Sequence, residues 1–147
     1  MPKMSTARLH AFLSRGAWIA KIATISPHGR PYVSPVWYEY DGQAVYLAGR
    51  ERARWVINIR QNPWVAVLID SPEPPYARVI IEAEAEILSA AGYDAERRLK
   101  KFVRYLGEEK ARRYLAESED RPRVIVRIPL TGLTTWEGLD WHPRYFW

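Results

Sequence analysis

Apolar positions along the chain fall into two rhythms, one of period two and one of three to four, and their order predicts a β-rich domain with helices inserted between strands. Residues 5–15 (STARLHAFLSR) set Leu9, Phe12 and Leu13 at helical spacing behind a Ser5 or Thr6 cap, a short amphipathic helix ending near Gly16. Residues 18–26 (WIAKIATIS) are β-branched or small, the run Pro27-His28-Gly29-Arg30-Pro31 supplies turn chemistry, and residues 32–40 (YVSPVWYEY) read as a second strand. Asp41-Gly42 is a strong hairpin signal, because a type I′ turn requires positive φ at both central residues, and it leads into a third strand over residues 43–48. The period then changes. Residues 49–62 (GRERARWVINIRQN) bring Trp55, Val56 and Ile59 to one helical face, gather arginines at the start and stop at Asn62-Pro63.

Residues 64–70 (WVAVLID) predict a buried fourth strand, and residues 71–76 (SPEPPY) a proline-rich loop that no central strand would contain. Over residues 78–88, Val79, Ile81, Ala83, Ala85 and Ile87 alternate with Glu82, Glu84 and Glu86, which describes a strand with one wet face. Residues 92–117 return to helical spacing, with Ala95, Leu99, Phe102, Val103 and Leu106 on one face and Gly107 separating two helices. Strands over residues 123–128 and 133–136 complete a set of about six, with no internal repeat. Short antiparallel strands favour a closed or nearly closed barrel over an open sandwich, since closure removes exposed edges. Two-residue turns do not suit a doubly wound parallel sheet.

With 147 residues the chain is long enough for one substantial core and too short for two, so a single domain is expected over residues 1–147. Hydrophobic residues at 48% and charged residues at 27% are those of a globular chain, and no apolar run approaches the roughly 18 to 20 residues of a spanning helix. Residues 1–15 lack an apolar core followed by a small-residue cleavage site, so the expected location is cytoplasmic, without membrane contact. The absence of cysteine excludes disulfides, thiolate metal sites and cysteine nucleophiles, so any redox chemistry must be brought by a cofactor. His10, His28 and His142 show no paired metal spacing, and the glycine-framed signatures of serine hydrolases, NTPases and dinucleotide enzymes are missing. A net charge of +5 permits attraction to phosphates, anionic cofactors or nucleic acid without choosing among them. Trp136, Trp141, Tyr145, Phe146 and Trp147 crowd the end of the chain, as an interface or a ligand groove would require.

The succession of strand, Pro-His-Gly-Arg-Pro turn, Val33-Ser34-Pro35-Val36-Trp37-Tyr38, Asp41-Gly42 turn, strand, arginine-rich helix start and Asn58-Ile59-Arg60-Gln61-Asn62-Pro63 resembles the pyridoxamine 5′-phosphate oxidase-like family, including its deazaflavin-dependent branch. Residues 64–70 and 78–88 look like that family's next two strands, so roughly residues 5–136 are covered. The fixed order carries the resemblance rather than any single motif. It implies a six-stranded antiparallel split β-barrel of α+β class, working as a homodimer with the cofactor at the subunit interface. It further implies a cofactor phosphate near the end of the third strand and the following helix, with the ring against the second strand. FMN is the first cofactor implied and the 8-hydroxy-5-deazaflavin coenzyme the second.

The residue chemistry agrees with that placement. A helix N-terminus offers free N–H groups and a positive dipole end, to which Arg50, Arg52 and Arg54 add fixed cations between Gly49 and Trp55. Pro35 removes a ladder donor, so its strand is an edge or a bulge and leaves Ser34, Val36 and Trp37 available to the polar rim of a ring. The expected cofactor-binding set is therefore Ser34, Pro35, Val36, Trp37, Gly49, Arg50, Arg52, Arg54 and Trp55, with no catalytic side chain and no metal assigned. Trp136, Trp141 and His142 are expected to wall the substrate side. One departure stands out: relatives commonly carry Ser or Thr and then Lys where this chain has Ala53 and Trp55. Arg54 replaces that lysine only if the loop is re-aimed, because one residue turns a helix by about 100°.

Other readings compete. The arginines at 50, 52, 54 and 60 equally fit a solvated helix face, and Trp18, Trp55 and Trp64 fit core or dimer filling, Trp37 being the exception. Eight Lys or Arg against five Asp or Glu over residues 92–117 fit a solvated face rather than a nucleic-acid surface, and no arginine cluster beyond that at 50–54 offers itself to a substrate phosphate. The expected function is an oxidoreductase passing hydride or electrons to a small organic substrate, its cofactor performing the chemistry. A non-catalytic flavin- or haem-binding module, or a basic nucleic-acid binder, is the alternative.

Overall fold

A computed structural model describes residues 3–118 and 121–138. Helix α1 (Thr6–Arg15) begins where the Ser5 hydroxyl accepts the Arg8 N–H at 3.1 Å, and it buries Leu9, Phe12 and Leu13, the three positions its spacing singled out. β1 (Ala20–Ile25) and β2 (Pro31–Val36) form the first hairpin, closed by Ser26, whose hydroxyl and carbonyl accept the Arg30 and Gly29 N–H groups at 3.1 and 2.9 Å. β3 (Tyr38–Tyr40) and β4 (Ala44–Arg50) form the second. Its turn is not of type I′: only Gly42 has positive φ, and the Asp41 carboxylate accepts the Gln43 and Ala44 N–H groups at 2.8 Å each. Those backbone donors hold the Asp41 carboxyl below its ordinary pKa.

Helix α2 (Arg54–Gln61), strands β5 (Trp64–Asp70), β6 (Ala77–Glu84) and β7 (Glu86–Ser89), helices α3 (Ala95–Leu106) and α4 (Glu108–Glu117), and strands β8 (Arg123–Pro129) and β9 (Leu133–Glu137) follow. All pairings among the described residues are antiparallel, in two sheets of order β2-β1-β5-β6-β9 and β3-β4-β8-β7. Two stretches pass from one sheet to the other. Residues 31–40 bend at Trp37 between β2 and β3, and residues 77–89 bend at Ala85 between β6 and β7. Each stretch reads as one strand in the sequence, so the bends account for much of the rise from about six strands to nine. They also join the sheets into a split barrel. Ile22, Val67, Ile69 and Ile81 from the first sheet and Val45, Leu47, Val126 and Ile128 from the second are fully buried in one core with Leu13 and Val56. Each such side chain contributes roughly 1.5–3 kcal/mol. Glu82, Glu84 and Glu86 are exposed, as their alternation requires. No helix among the described residues is long and apolar enough to cross a membrane.

Two further expectations need correction. Gly49 and Arg50 do not open the helix: they end β4, because the β4–β8 ladder runs on to the pair Arg50↔Arg123, and α2 starts only at Arg54. Gly49 is required by packing, since a Cβ there would lie 2.4 Å from the Trp55 ring and 2.7 Å from a Val56 methyl. Helix α3 is also turned from the face its apolar spacing suggests. Ala95 is exposed and Leu99, Val103 and Leu106 are half-buried, whereas Arg98 and Lys101 are buried beside Phe102. Polar contacts set that rotation: Arg97 pairs with Glu39 of β3 at 3.0 Å, and Arg104 donates to the Gly16 carbonyl at 3.1 Å and the Leu13 carbonyl at 3.3 Å, covering the C-terminus of α1.

Replacing Gly49 with Ala is expected to lower the unfolding free energy by about 1–3 kcal/mol in urea titration. Adding Trp55→Leu should recover part of that loss, and an unchanged urea midpoint for the single variant would contradict the close approach of β4 and α2.

Candidate functional site

The bend at Trp37 opens a cavity of about 460 Å³ between the two sheets' edges, α2 and α3. Its position follows from Pro35, which has no N–H to donate and therefore sits on the edge strand β2, paired among the described residues only with β1, through Lys21. Two residues later, at Trp37, the chain changes sheets, and Tyr38 fixes where. This side chain is fully buried; its hydroxyl donates to the Leu13 carbonyl at 2.7 Å, and its N–H donates to the Tyr105 hydroxyl at 3.2 Å. Tyr105 in turn donates to the Trp18 carbonyl at 2.8 Å. Burial, only partly opposed by the Arg104 guanidinium, pushes the Tyr38 phenol up to about 12.

Trp37, held between those anchors, stacks on Tyr105 with ring centres 4.9 Å apart and 8° between planes, and meets Phe102 and Tyr114 edge-on at 5.8 Å each. Trp37, Phe102 and Tyr114 together with Pro35 and Val36 give the cavity an apolar side. The other side comes from the end of β4 and the start of α2: Ala48, Gly49, Arg50, Ala53 and Trp55. Ala53 is the N-cap of α2 and provides no side-chain acceptor, which leaves that helix start to be satisfied by solvent or a ligand.

Of the nine residues expected at a cofactor, Pro35, Val36, Trp37, Gly49, Arg50 and Trp55 line this cavity. Ser34, Arg52 and Arg54 do not. Ser34 lies half-buried on β2 opposite Ile22, Arg52 is exposed in the turn before α2, and the Arg54 guanidinium rests 4.4 Å above the Tyr32 ring. Arg54 is thus drawn to an aromatic face rather than into the place of a missing lysine. Trp55 is 5% exposed and fills the core beneath Gly49 as well as touching the cavity. Trp136 lies on β9, with the Arg78 guanidinium 5.1 Å from its ring, and is not part of the cavity wall; Trp141 and His142 fall outside the described residues.

Sequence reading missed a cationic wall. Lys101 and Arg123 line the cavity from α3 and β8, with Tyr93 beside them. Lys101 is 6% exposed and its Nζ lies 4.8 Å from the centre of the Tyr93 ring; Arg98, 8% exposed, has a buried Nε without a hydrogen-bond partner. The helix taken for a solvated face therefore turns two of its cations inward. Burial, reinforced by Arg123 and Arg97 and opposed by Glu39, lowers the Lys101 ammonium to about 8. The Arg123 pKa is depressed by burial and then by Arg98, with Arg50 adding to the effect.

Two sheets joined by bent strands and flanked by helices, with a cavity at one junction, define a split-barrel protein of α+β class. The pyridoxamine 5′-phosphate oxidase family matches residues 6–137, and the chain belongs to that family. Among solved structures, the conserved hypothetical protein Rv2991 from Mycobacterium tuberculosis is 24% identical over 91% of this chain and 85% of its own, with a TM-score of 0.75. An F420 reductase is also 24% identical, over 91% of this chain and 98% of its own, with a TM-score of 0.65. A pyridoxamine 5′-phosphate oxidase-related, FMN-binding protein from Nostoc punctiforme is 15% identical over 82% and 74%, with a TM-score of 0.60. At such identities the likeness is one of fold. No curated protein matches the sequence.

The lowered lysine gives stability a pH signature. Between the folded value near 8 and the ordinary 10.5, the unfolded chain keeps a proton that folded Lys101 has released, so stability rises with pH in that window. In phosphate-free buffer Lys101 is expected to add about 2 kcal/mol to the unfolding free energy from about pH 8 to 10, read as the difference between the protein and Lys101→Met. Above about pH 10 the unfolding free energy should fall, because unfolded tyrosines ionise there while buried Tyr38 and Tyr93, both raised, hold their protons. Urea denaturation across this range checks it, and Lys101→Met should flatten the rising limb; a rise that persists unchanged in the variant assigns it to another group.

Proposed function

We infer that the chain is a flavin-type oxidoreductase, holding FMN, or as second choice the 8-hydroxy-5-deazaflavin coenzyme, in the cavity at the Trp37 bend and acting on a small organic substrate. The observation that carries this reading is the meeting, in one cavity, of a proline-interrupted edge strand and a cationic strand-to-helix corner. The cavity's size lies within the usual range for cofactor sites, and a lining that combines aromatic rings with cations suits a planar ring with an anionic tail. Pro35, Val36 and Trp37 would lie along the ring; Arg50 and the uncapped start of α2 would hold the phosphate. When bound, such a ring supplies hydride or electron transfer.

The chain's own part is orientation. Trp37 cannot swing away, because Tyr105 backs it and Tyr38 anchors the next residue to α1. Phe102, 4% exposed, closes the cavity on its α3 side. A homodimer belongs to the same reading. Supporting it, Val33 points outward at 59% exposure from the unpaired edge of β2, next to the cavity, where a second subunit would cover both.

Titration of the purified protein with FMN, followed by flavin absorbance and tryptophan quenching, tests this reading. Trp37→Ala is expected to weaken FMN and phosphate-free riboflavin alike by about tenfold. Binding of neither FMN nor the deazaflavin would sink the proposal, deazaflavin binding alone would select the second cofactor, and reductant-driven turnover separates an oxidoreductase from a protein that only holds the cofactor.

A further inference from the structure

We propose that the α3–β8 wall of the cavity is an oxyanion-binding site, in which Lys101, Arg123 and Arg50 jointly hold a phosphate or carboxylate group. The proposal deepens the flavin reading where that group is the cofactor's own phosphate, and it rests on separate observations.

Arg50 and Arg123 are direct partners across the β4–β8 ladder, and both line the cavity. Like charges facing each other across a ladder destabilise it. Nothing between them compensates: among the described residues neither arginine has a carboxylate partner, and Arg123 spends one donor on the Ser118 carbonyl at 3.1 Å. Lys101 enters the same space from α3. It is nine-tenths buried and has neither a hydrogen bond nor an ion pair among the described residues. Arg98 stands behind it, also buried and with an unpartnered Nε. Glu39, the carboxylate that favours the Lys101 charge, is already engaged by Arg97 at 3.0 Å.

A cluster of cations without counter-charges, in which Lys101 and Arg98 are buried, Arg123 is half-buried and Arg50 is exposed, is unfavourable in the free protein, since each adds to the repulsion borne by its neighbours. The lowered pKa values of Lys101 and Arg123 express that stress. An oxyanion relieves it. Two guanidinium forks and one ammonium offer convergent donors to an oxygen cluster, and charge-assisted bonds of this kind are the strong ones. Exposed Arg50 alone would need no such explanation; buried Lys101 in the cavity wall does.

The test is calorimetric titration of the full-length protein at low ionic strength with inorganic phosphate, FMN and riboflavin. Lys101→Met is expected to weaken inorganic phosphate by about tenfold or more, while Lys101→Arg, which keeps the charge, retains it and Arg112→Gln, on the exposed face of α4, changes nothing. Arg123→Gln provides a second loss of binding should the methionine variant fold poorly. Protection of Lys101 from acetylation by phosphate, read by mass spectrometry on the unaltered protein, should give the same answer. Weaker FMN with unchanged riboflavin in Lys101→Met makes the oxyanion the cofactor's tail; unchanged FMN with weaker phosphate assigns it to a second, anionic small molecule. If the unaltered protein binds no flavin at all, the flavin reading falls while the phosphate result still decides this one. Phosphate binding and Lys101 acetylation that are indifferent to each other, with Lys101→Met binding phosphate as the parent does, would overturn the proposal.

Discussion

Tyr38 cannot leave its place without stranding buried polar groups, and the geometry of the whole site descends from that constraint. Its hydroxyl satisfies a carbonyl in the last turn of α1, and its N–H is taken by Tyr105 of α3. One side chain and its own backbone thus tie together the opening helix, the strand that changes sheets and the helix inserted late in the chain. An unmade hydrogen bond in such a setting costs about 1–3 kcal/mol for each stranded group, so the bend at Trp37 is determined by pairing rather than by flexibility. With the bend in place, β2 and β3 lie at the edges of different sheets and a cavity must remain where they part.

Charge is arranged around that cavity against the ordinary preference of globular chains. Most ion pairs among the described residues are partly exposed, such as Arg8 with Glu137 and Arg112 with Glu108, and contribute little to stability. Lys101 and Arg98 at the cavity are instead buried, and no carboxylate among the described residues pairs with them, with Arg123 or with exposed Arg50. Tyr93 softens the burial of Lys101 by offering its ring face, an attraction of at most a few kcal/mol. The lowered Lys101 pKa corresponds to about 3 kcal/mol of unfavourable environment for the ammonium. Packing of the core therefore supports a site that is itself under strain, a division of labour common where binding is at stake.

Much of the site was legible in the chain as written. Pro35 in an otherwise strand-like run announced an edge, and the structure has β2 at an edge. The cluster of arginines at residues 50–54 pointed to a cationic corner, and Arg50, the last residue of β4, lines the cavity there. Arg52 and Arg54 were not separable from Arg50 by spacing, because the helix start depends on how far the β4–β8 ladder extends, and that ladder pairs residues more than seventy positions apart. Lys101 and Arg98 were hidden for a related reason. The apolar positions of α3 suggested one buried face, while the helix is turned by Arg97 and Arg104 finding a carboxylate on β3 and carbonyls at the end of α1.

The sequence by itself determined what is local: the strand and helix rhythms, the turns at Ser26 and Asp41, the wet glutamate face of β6, and the placing of proline where a ladder donor can be spared. Only the tertiary structure decided where strands break, which way α3 faces, and that Arg50, Lys101 and Arg123 share one cavity wall. The physical reason is range. Backbone conformation and side-chain alternation are settled within a few residues, whereas the hydrogen bonds of Tyr38 and the pairing of β4 with β8 join segments whose proximity no short stretch of chain contains.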